Sequence, residues 1–399
     1  MIDFRFNFID IFRAPRLALS AKKIWTQFRA LALGLVIYNI CAYLAFAVSG
    51  GDVYRIWSSY YLFPPVALAY GTYPLNAAGV LLWVVGALAF FVVNFLAMAA
   101  VAKITIEQLR GNDFYSRREA GRYVRRHWRP VVFTPLAVLA SLALLFGAGL
   151  LVGLVGKIPW FGDIVASLSF VPLFAGALLF LFLTIVFLLS FRLTPAIVAT
   201  TGDDTFETSF ELFSTLSSQP WRLVLYNMLL RFLTVTSGAL FACFSSLALA
   251  VVYSALYVPM GSKFGLAFAA AGRVLPSWCR GAYPGNCPVL GSISESITCP
   301  LGAWHDVVLP LPWPQAIAAT LISLGLLVVL GIVVAYAINV NTVGQTIIYT
   351  ILRKKKDDES LLEMYDDELE QSVLALESER DGGGTAAPES EGDSVEEDN

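Results

Sequence analysis

Along the 399-residue chain the charged positions thin out six times. Residues 30–49, 77–102, 130–155, 164–190, 232–257 and 316–340 are nearly free of charge, and each is apolar on every side of a helical wheel rather than along one stripe. At about 1.5 Å of rise per residue, segments of about 20 residues or more cross a hydrocarbon layer of roughly 30 Å. The pattern predicts an all-α fold, a polytopic transmembrane helical bundle of six spans with interfacial amphipathic helices. A further apolar stretch, Tyr60–Tyr70, is interrupted by Pro64 and Pro65 and is too short to cross. It reads as an interfacial or re-entrant piece, with Tyr60, Tyr61 and Tyr70 at headgroup depth.

Between the spans a second pattern recurs. Three short segments of mixed polarity each lead to a Trp near an Arg and then into a span. They are Pro15–Ala30 with Trp25 and Arg29, Ser116–Arg129 closing on Trp128 and Arg129, and Thr205–Arg222. In the third, Phe206, Phe210 and Phe213 fall at helical spacing before Pro220, Trp221 and Arg222. Such helices lie in the interface with their arginines reaching phosphate. The layout suggests three units, each an interfacial helix followed by an out-and-back pair of spans. Duplication and repeated use of the same interface anchors both account for it.

Composition agrees with lipid as the solvent: 57% of residues are hydrophobic, 14% are charged, and the mean hydropathy is +0.68. The lead of residues 1–29 carries Arg5, Arg13, Arg16, Lys22 and Lys23 with no short apolar core and cleavage site, so the first span is expected to be retained. Charge then orients the bundle. With the first span crossing outward, 21 Lys and Arg flank the membrane on the side of the termini and five (Arg55, Lys157, Lys263, Arg273, Arg280) on the other. The positive-inside rule places both termini in the cytoplasm. From Asp357 to Asn399 the tail holds 17 acidic residues against Arg380 alone, and is expected to be largely disordered after a short helix near Glu359–Leu376.

Candidate chemistry is sparse. His127 and His305 fall on opposite sides of the membrane in this topology, so they share no metal or relay. Gly382–Gly384 follow no strand, so no nucleotide site is supported, and no cofactor, catalytic residue, metal or nucleic-acid partner is expected. The segment 258–315 is the one sizeable stretch outside the spans. It runs from an amphipathic part, Ser262–Leu275, into Gly-, Pro- and Ser-rich sequence with Cys279, Cys287 and Cys299. Three cysteines on an oxidising side imply one disulfide and one spare thiol, with Cys279–Cys287 and Cys287–Cys299 both open, or an intermolecular bridge. Their spacing is not that of a zinc site. Cys41 and Cys243 fall within spans as small core residues.

The polar residues in or near the spans are Asn39, Asn94, Asn227, Arg231, Asn339 and Asn341. Amides at such positions serve mainly as hydrogen bonds between helices, and clean span centres argue against a carrier of charged solutes. Gly147, Gly149, Gly153, Gly325 and Gly331 are expected to let helices approach closely. The densest charge is Arg117, Arg118, Arg122, Arg125, Arg126 and Arg129, worth up to roughly 1 kcal/mol each toward anionic lipid. The same patch suits the acidic tail or another protein's acidic segment, and it also enforces topology.

The string from Asn341 through Gly344, Gln345 and Tyr349 to Arg353, and the string Arg192–Val198 leading into Phe206–Arg222, resemble segments of a loose group of bacterial integral membrane proteins. These are similar to the membrane domain that accompanies glycerophosphodiester phosphodiesterases. The resemblance implies a bacterial inner membrane and carries over no catalytic residue, because no hydrolase domain is present. Three classes of function remain: a non-enzymatic scaffold or accessory subunit organising partners or lipid at the cytoplasmic face, a transporter or lipid-handling channel, and a membrane-embedded lipid enzyme.

Overall fold

A computed structural model describes residues 6–60, 75–279 and 312–357. A 3₁₀ turn at Phe8–Arg13 and α1 (Ala14–Ala18) lead into α2 (Ala21–Val48), followed by the short α3 (Val53–Tyr60) and the long α4 (Ala77–Leu109). Next come α5 (Arg117–Arg126), α6 (Trp128–Val155), α7 (Phe161–Leu168), α8 (Phe170–Thr201), α9 (Thr205–Ser218) and α10 (Pro220–Met260). The last two are α11 (Ser262–Cys279) and α12 (Trp313–Asp357). Among the described residues there is no strand. Six helices, α2, α4, α6, α8, α10 and α12, are long and apolar enough to cross a membrane, so the chain is a multi-pass α-helical membrane protein.

The helices outrun the apolar stretches, and nearly always at the same end. α2 starts at Ala21 rather than residue 30, α4 continues to Leu109, α8 to Thr201 and α12 to Asp357, while α10 begins at Pro220. These overhangs all lie where α2 begins and α12 ends, here termed the basic face. Those of α8 and α12 are helical without being lipid-like because they are buried, whereas the α10 overhang is buried mainly at Leu223 and Leu230. In α8 every residue from Leu193 to Thr200 is buried, and in α12 every residue from Thr342 to Leu352. The opposite halves stay apolar and exposed, as in Leu144, Leu151, Phe174 and Val251, which suits contact with acyl chains.

α12 is the hub of the buried end. It packs against α1, α2, α4, α8, α9 and α10, and Tyr349, Ile347, Leu193, Ile197, Leu212 and Leu230 belong to one core. Its threonines fit there because they satisfy themselves: Thr342, Thr346 and Thr350 each donate to the carbonyl four residues earlier, at 2.9–3.0 Å. Tyr336 donates to the Pro15 carbonyl at 3.3 Å, tying the N-terminal lead to the last span.

The three-unit layout is present as geometry. The lead from Phe8 to Ala18 precedes α2 and α4, α5 precedes α6 and α8, and α9 precedes α10 and α12. In the first unit the short element lies earlier than the sequence pattern suggests, since Trp25 and Arg29 already belong to α2. Each short element leaves large apolar side chains exposed at or beside it: Phe8 and Phe12, then Phe114 and Trp128, then Phe206, Phe210 and Trp221. Exposed aromatics beside arginines fit the boundary between headgroups and acyl chains.

Close approach by glycine occurs at a seam the sequence reading did not single out. A Cβ on Gly86 would lie 2.5 Å from the Cβ of Cys41, so α4 and α2 touch there. Gly147, Gly149, Gly153 and Gly325 face open space instead, and Gly331 alone of the expected set meets a neighbour, the Phe28 ring. The amphipathic stretch after residue 261 is also placed differently. α11 folds back along α12, where Ser323 donates to the Ala271 carbonyl at 3.3 Å and Ala271 packs with Leu326 and Leu330. These α12 residues lie inside the span expected from hydropathy.

Candidate interaction surface at the basic face

α5 begins with a reciprocal cap. Ser116 N–H donates to the Glu119 carboxylate at 2.8 Å, and Glu119 N–H donates to the Ser116 hydroxyl at 3.3 Å. The backbone bond holds the Glu119 pKa below the usual carboxylate range. The helix lays Ala120 and Val124, four residues apart, into a core with Phe95, Ile104 and Val198. That register turns Arg117, Arg118, Arg122, Arg125, Arg126 and, just beyond the helix, Arg129 outward, and all six are exposed. Among the described residues none of the six makes a salt bridge with a carboxylate, and Arg129 sits 6.0 Å over the Trp128 ring.

Behind this arginine face lies a layer of paired charge. Lys103 meets Glu107 at 2.8 Å and stands 4.5 Å over the Tyr123 ring, and Arg110 reaches the same carboxylate at 3.4 Å. Tyr123 donates to the Val198 carbonyl at 2.7 Å and stacks on His127, with ring centroids 4.3 Å apart. Gly202 ends α8 in the left-handed conformation at φ +76, and a Cβ there would lie 3.1 Å from the Tyr123 hydroxyl. Burial first, then Tyr115 and Asp203, push the Tyr123 pKa up, and burial with Glu107 and Glu119 pushes Tyr115 up to about 12.

A second set joins α9 to α12. Glu211 receives Lys356 at 3.2 Å and Tyr349 at 3.4 Å, with Arg353 at 3.7 Å. Lys23 is fully buried at the start of α2, and donates to the Leu17 carbonyl and to Gln108 Oε1, both at 3.0 Å. Sequence reading treated these lysines and arginines as markers of sidedness. Half of the relevant signal was the acidic or amide partner, Glu107 and Gln108 just beyond the second apolar run and Glu211 within the third interfacial segment.

The polar residues singled out within spans separate by role. Asn94 accepts from Gln27 at 3.2 Å, and Asn227 from Gln345 at 2.6 Å, while each donates to a carbonyl of its own helix at 2.8 Å. They bridge α4 to α2 and α10 to α12. Asn39 donates to Leu35 within α2 and borders an apolar groove of about 660 Å³ with Tyr43, Tyr54 and Trp57. Arg231 is exposed, Asn341 is half-buried, and Asn339 is fully buried with neither amide atom hydrogen-bonded. The structure does not bring these six together into one site. Cys279 is the last residue of α11, Cys287, Cys299 and His305 lie outside the described residues, and Cys41 and Cys243 are free thiols. The acidic tail beyond Asp357 also lies outside the described residues.

No family model matches the chain, and no curated protein or solved structure matches it.

Proposed function

We propose that the chain is a non-enzymatic membrane protein that organises anionic lipid and partner proteins at the cytoplasmic face of a bacterial inner membrane. The observation that carries this reading is the exposure of five α5 arginines and the adjoining Arg129 with no salt bridge among the described residues. An interfacial helix of that kind has its natural counter-charge in headgroup phosphate, and rigid attachment through Ala120 and Val124 fixes where that phosphate gathers. The excess of basic residues around the termini supports a cytoplasmic basic face. The buried α8 and α12 overhangs support a firm platform at that face rather than a gate. The amides that a carrier would turn toward a solute, Asn94 and Asn227, are engaged with Gln27 and Gln345.

The test is the phospholipid that accompanies the purified protein in mild, uncharged detergent. Wild type should retain phosphatidylglycerol or cardiolipin well above their share of the source membrane. The variant R118Q/R122Q/R125Q/R126Q should fall to that share. Equal enrichment in both would overturn the reading.

A further inference from the structure

The α5 arginines form a row with a period. Arg118, Arg122 and Arg125 follow at intervals of four and three along the edge of α5 opposite the buried Ala120 and Val124, and Arg129 follows in the first turn of α6. The tail carries the matching row. Glu363, Asp366, Asp367 and Glu370 fall at i, i+3, i+4 and i+7 in the stretch whose sequence pattern is helical. Both rows therefore repeat over two turns with opposite sign.

Distance permits them to meet. α12 delivers the tail at Asp357 on the basic face; α12 packs on α4, and α4 packs on α5. Two helix spacings amount to roughly 16–20 Å. The helix expected near Glu359–Leu376, 18 residues at about 1.5 Å each, spans roughly 27 Å and so covers that distance from the end of α12. Of the 30 acidic residues in the chain, 17 stand in the tail from Asp357, so the same polypeptide supplies a dense counter-charge at high local concentration.

We propose that the acidic tail, through the segment around Glu363–Glu370, docks on the arginine face of α5 in the same molecule and competes there with anionic lipid. The competition, not the docking, rests on the lipid reading above. In this arrangement α5 has two states, covered by the tail or turned to phosphate, and local anionic lipid content sets the balance between them.

The experiment follows cleavage of the tail of full-length protein by a glutamate-specific protease, in uncharged detergent at low salt. Wild type should be cut slowly at Glu368, inside the docked segment, and R118Q/R122Q/R125Q/R126Q should be cut there roughly tenfold faster, since exposed pairs are individually weak and act here as a set. The tail variant E363Q/D366N/D367N/E370Q, which leaves the bundle and Glu368 untouched, should show the same acceleration at Glu368. Raising salt should accelerate wild type and not the variants. Equal rates in all three proteins at low salt would overturn the proposal. Protection that fades on dilution would also overturn it, in favour of the tail of a second copy. Adding anionic lipid should release the wild-type tail, and failure to do so would refute the competition. If the arginine variant loses its lipid but keeps wild-type tail protection, the docking fails and the lipid reading stands. If the tail is released with lipid retention unchanged, the reverse holds.

Discussion

Tyr123 ties α5 to the end of α8 through one hydroxyl, which donates to the Val198 carbonyl beneath Gly202. Removing the hydroxyl in Tyr123→Phe leaves that carbonyl with one partner fewer and should cost about 1 kcal/mol, read as a lower unfolding midpoint in detergent. The tyrosines also make a pH prediction. Tyr115, at about 12, and Tyr123 are raised above the ordinary tyrosine value of 10.0, chiefly by burial. Between pH 10 and 12 the unfolded chain has released these protons and the folded chain still holds them. Folding then binds protons, so the stability these groups contribute is complete below pH 10 and is lost as pH rises through their folded values. The double variant Tyr115→Phe/Tyr123→Phe should lose stability less steeply above pH 10 than wild type, and parallel profiles would exclude the effect. None of this was visible from sequence. A tyrosine next to a basic run reads as an interface anchor, and only the packing of α5 on α4 reveals that Tyr123 faces Lys103 and Val198.

At the scale of elements, the spans were legible because lipid enforces them. A helix in hydrocarbon must be apolar on all sides for about 20 residues, and few other structures have that pattern. What hydropathy does not mark is where a helix leaves lipid and enters protein. Thr342 to Leu352 is buried on every side yet carries Thr342, Gln345, Thr346 and Thr350, so the apolar run ends long before the helix does. The short helices were legible as mixed-polarity segments leading to a Trp near an Arg, although the first was displaced toward Phe8. Glycine was the least informative signal, because small residues occur both at seams and on open faces. Gly86→Ala should force α4 away from Cys41 and cost about 1–3 kcal/mol. By contrast Gly147→Ala, in open space, should leave the unfolding midpoint unchanged or raise it. Equal losses at both positions would mean that the open face of α6 is packed after all.

For the whole molecule, the asymmetry between its two ends connects fold with the proposed role. One end is apolar and exposed, suited to lipid; the other is buried, crossed by Lys103–Glu107 and Lys356–Glu211 pairs, and presents arginines that the described residues leave without salt bridges. Positive charge on that side was plain in the sequence, whereas its division into buried pairs and exposed arginines was not, since both are counted alike by a charge tally. The exposed set is what the proposed function rests on. The most direct test is the unfolding midpoint of the full-length protein in bilayer discs of increasing anionic lipid fraction. Lipid that binds the folded state alone raises stability in proportion to the logarithm of its excess over the dissociation constant. Wild type should therefore gain several degrees between neutral and anionic discs, and R118Q/R122Q/R125Q/R126Q should gain little. Equal gains in the two proteins would contradict the account.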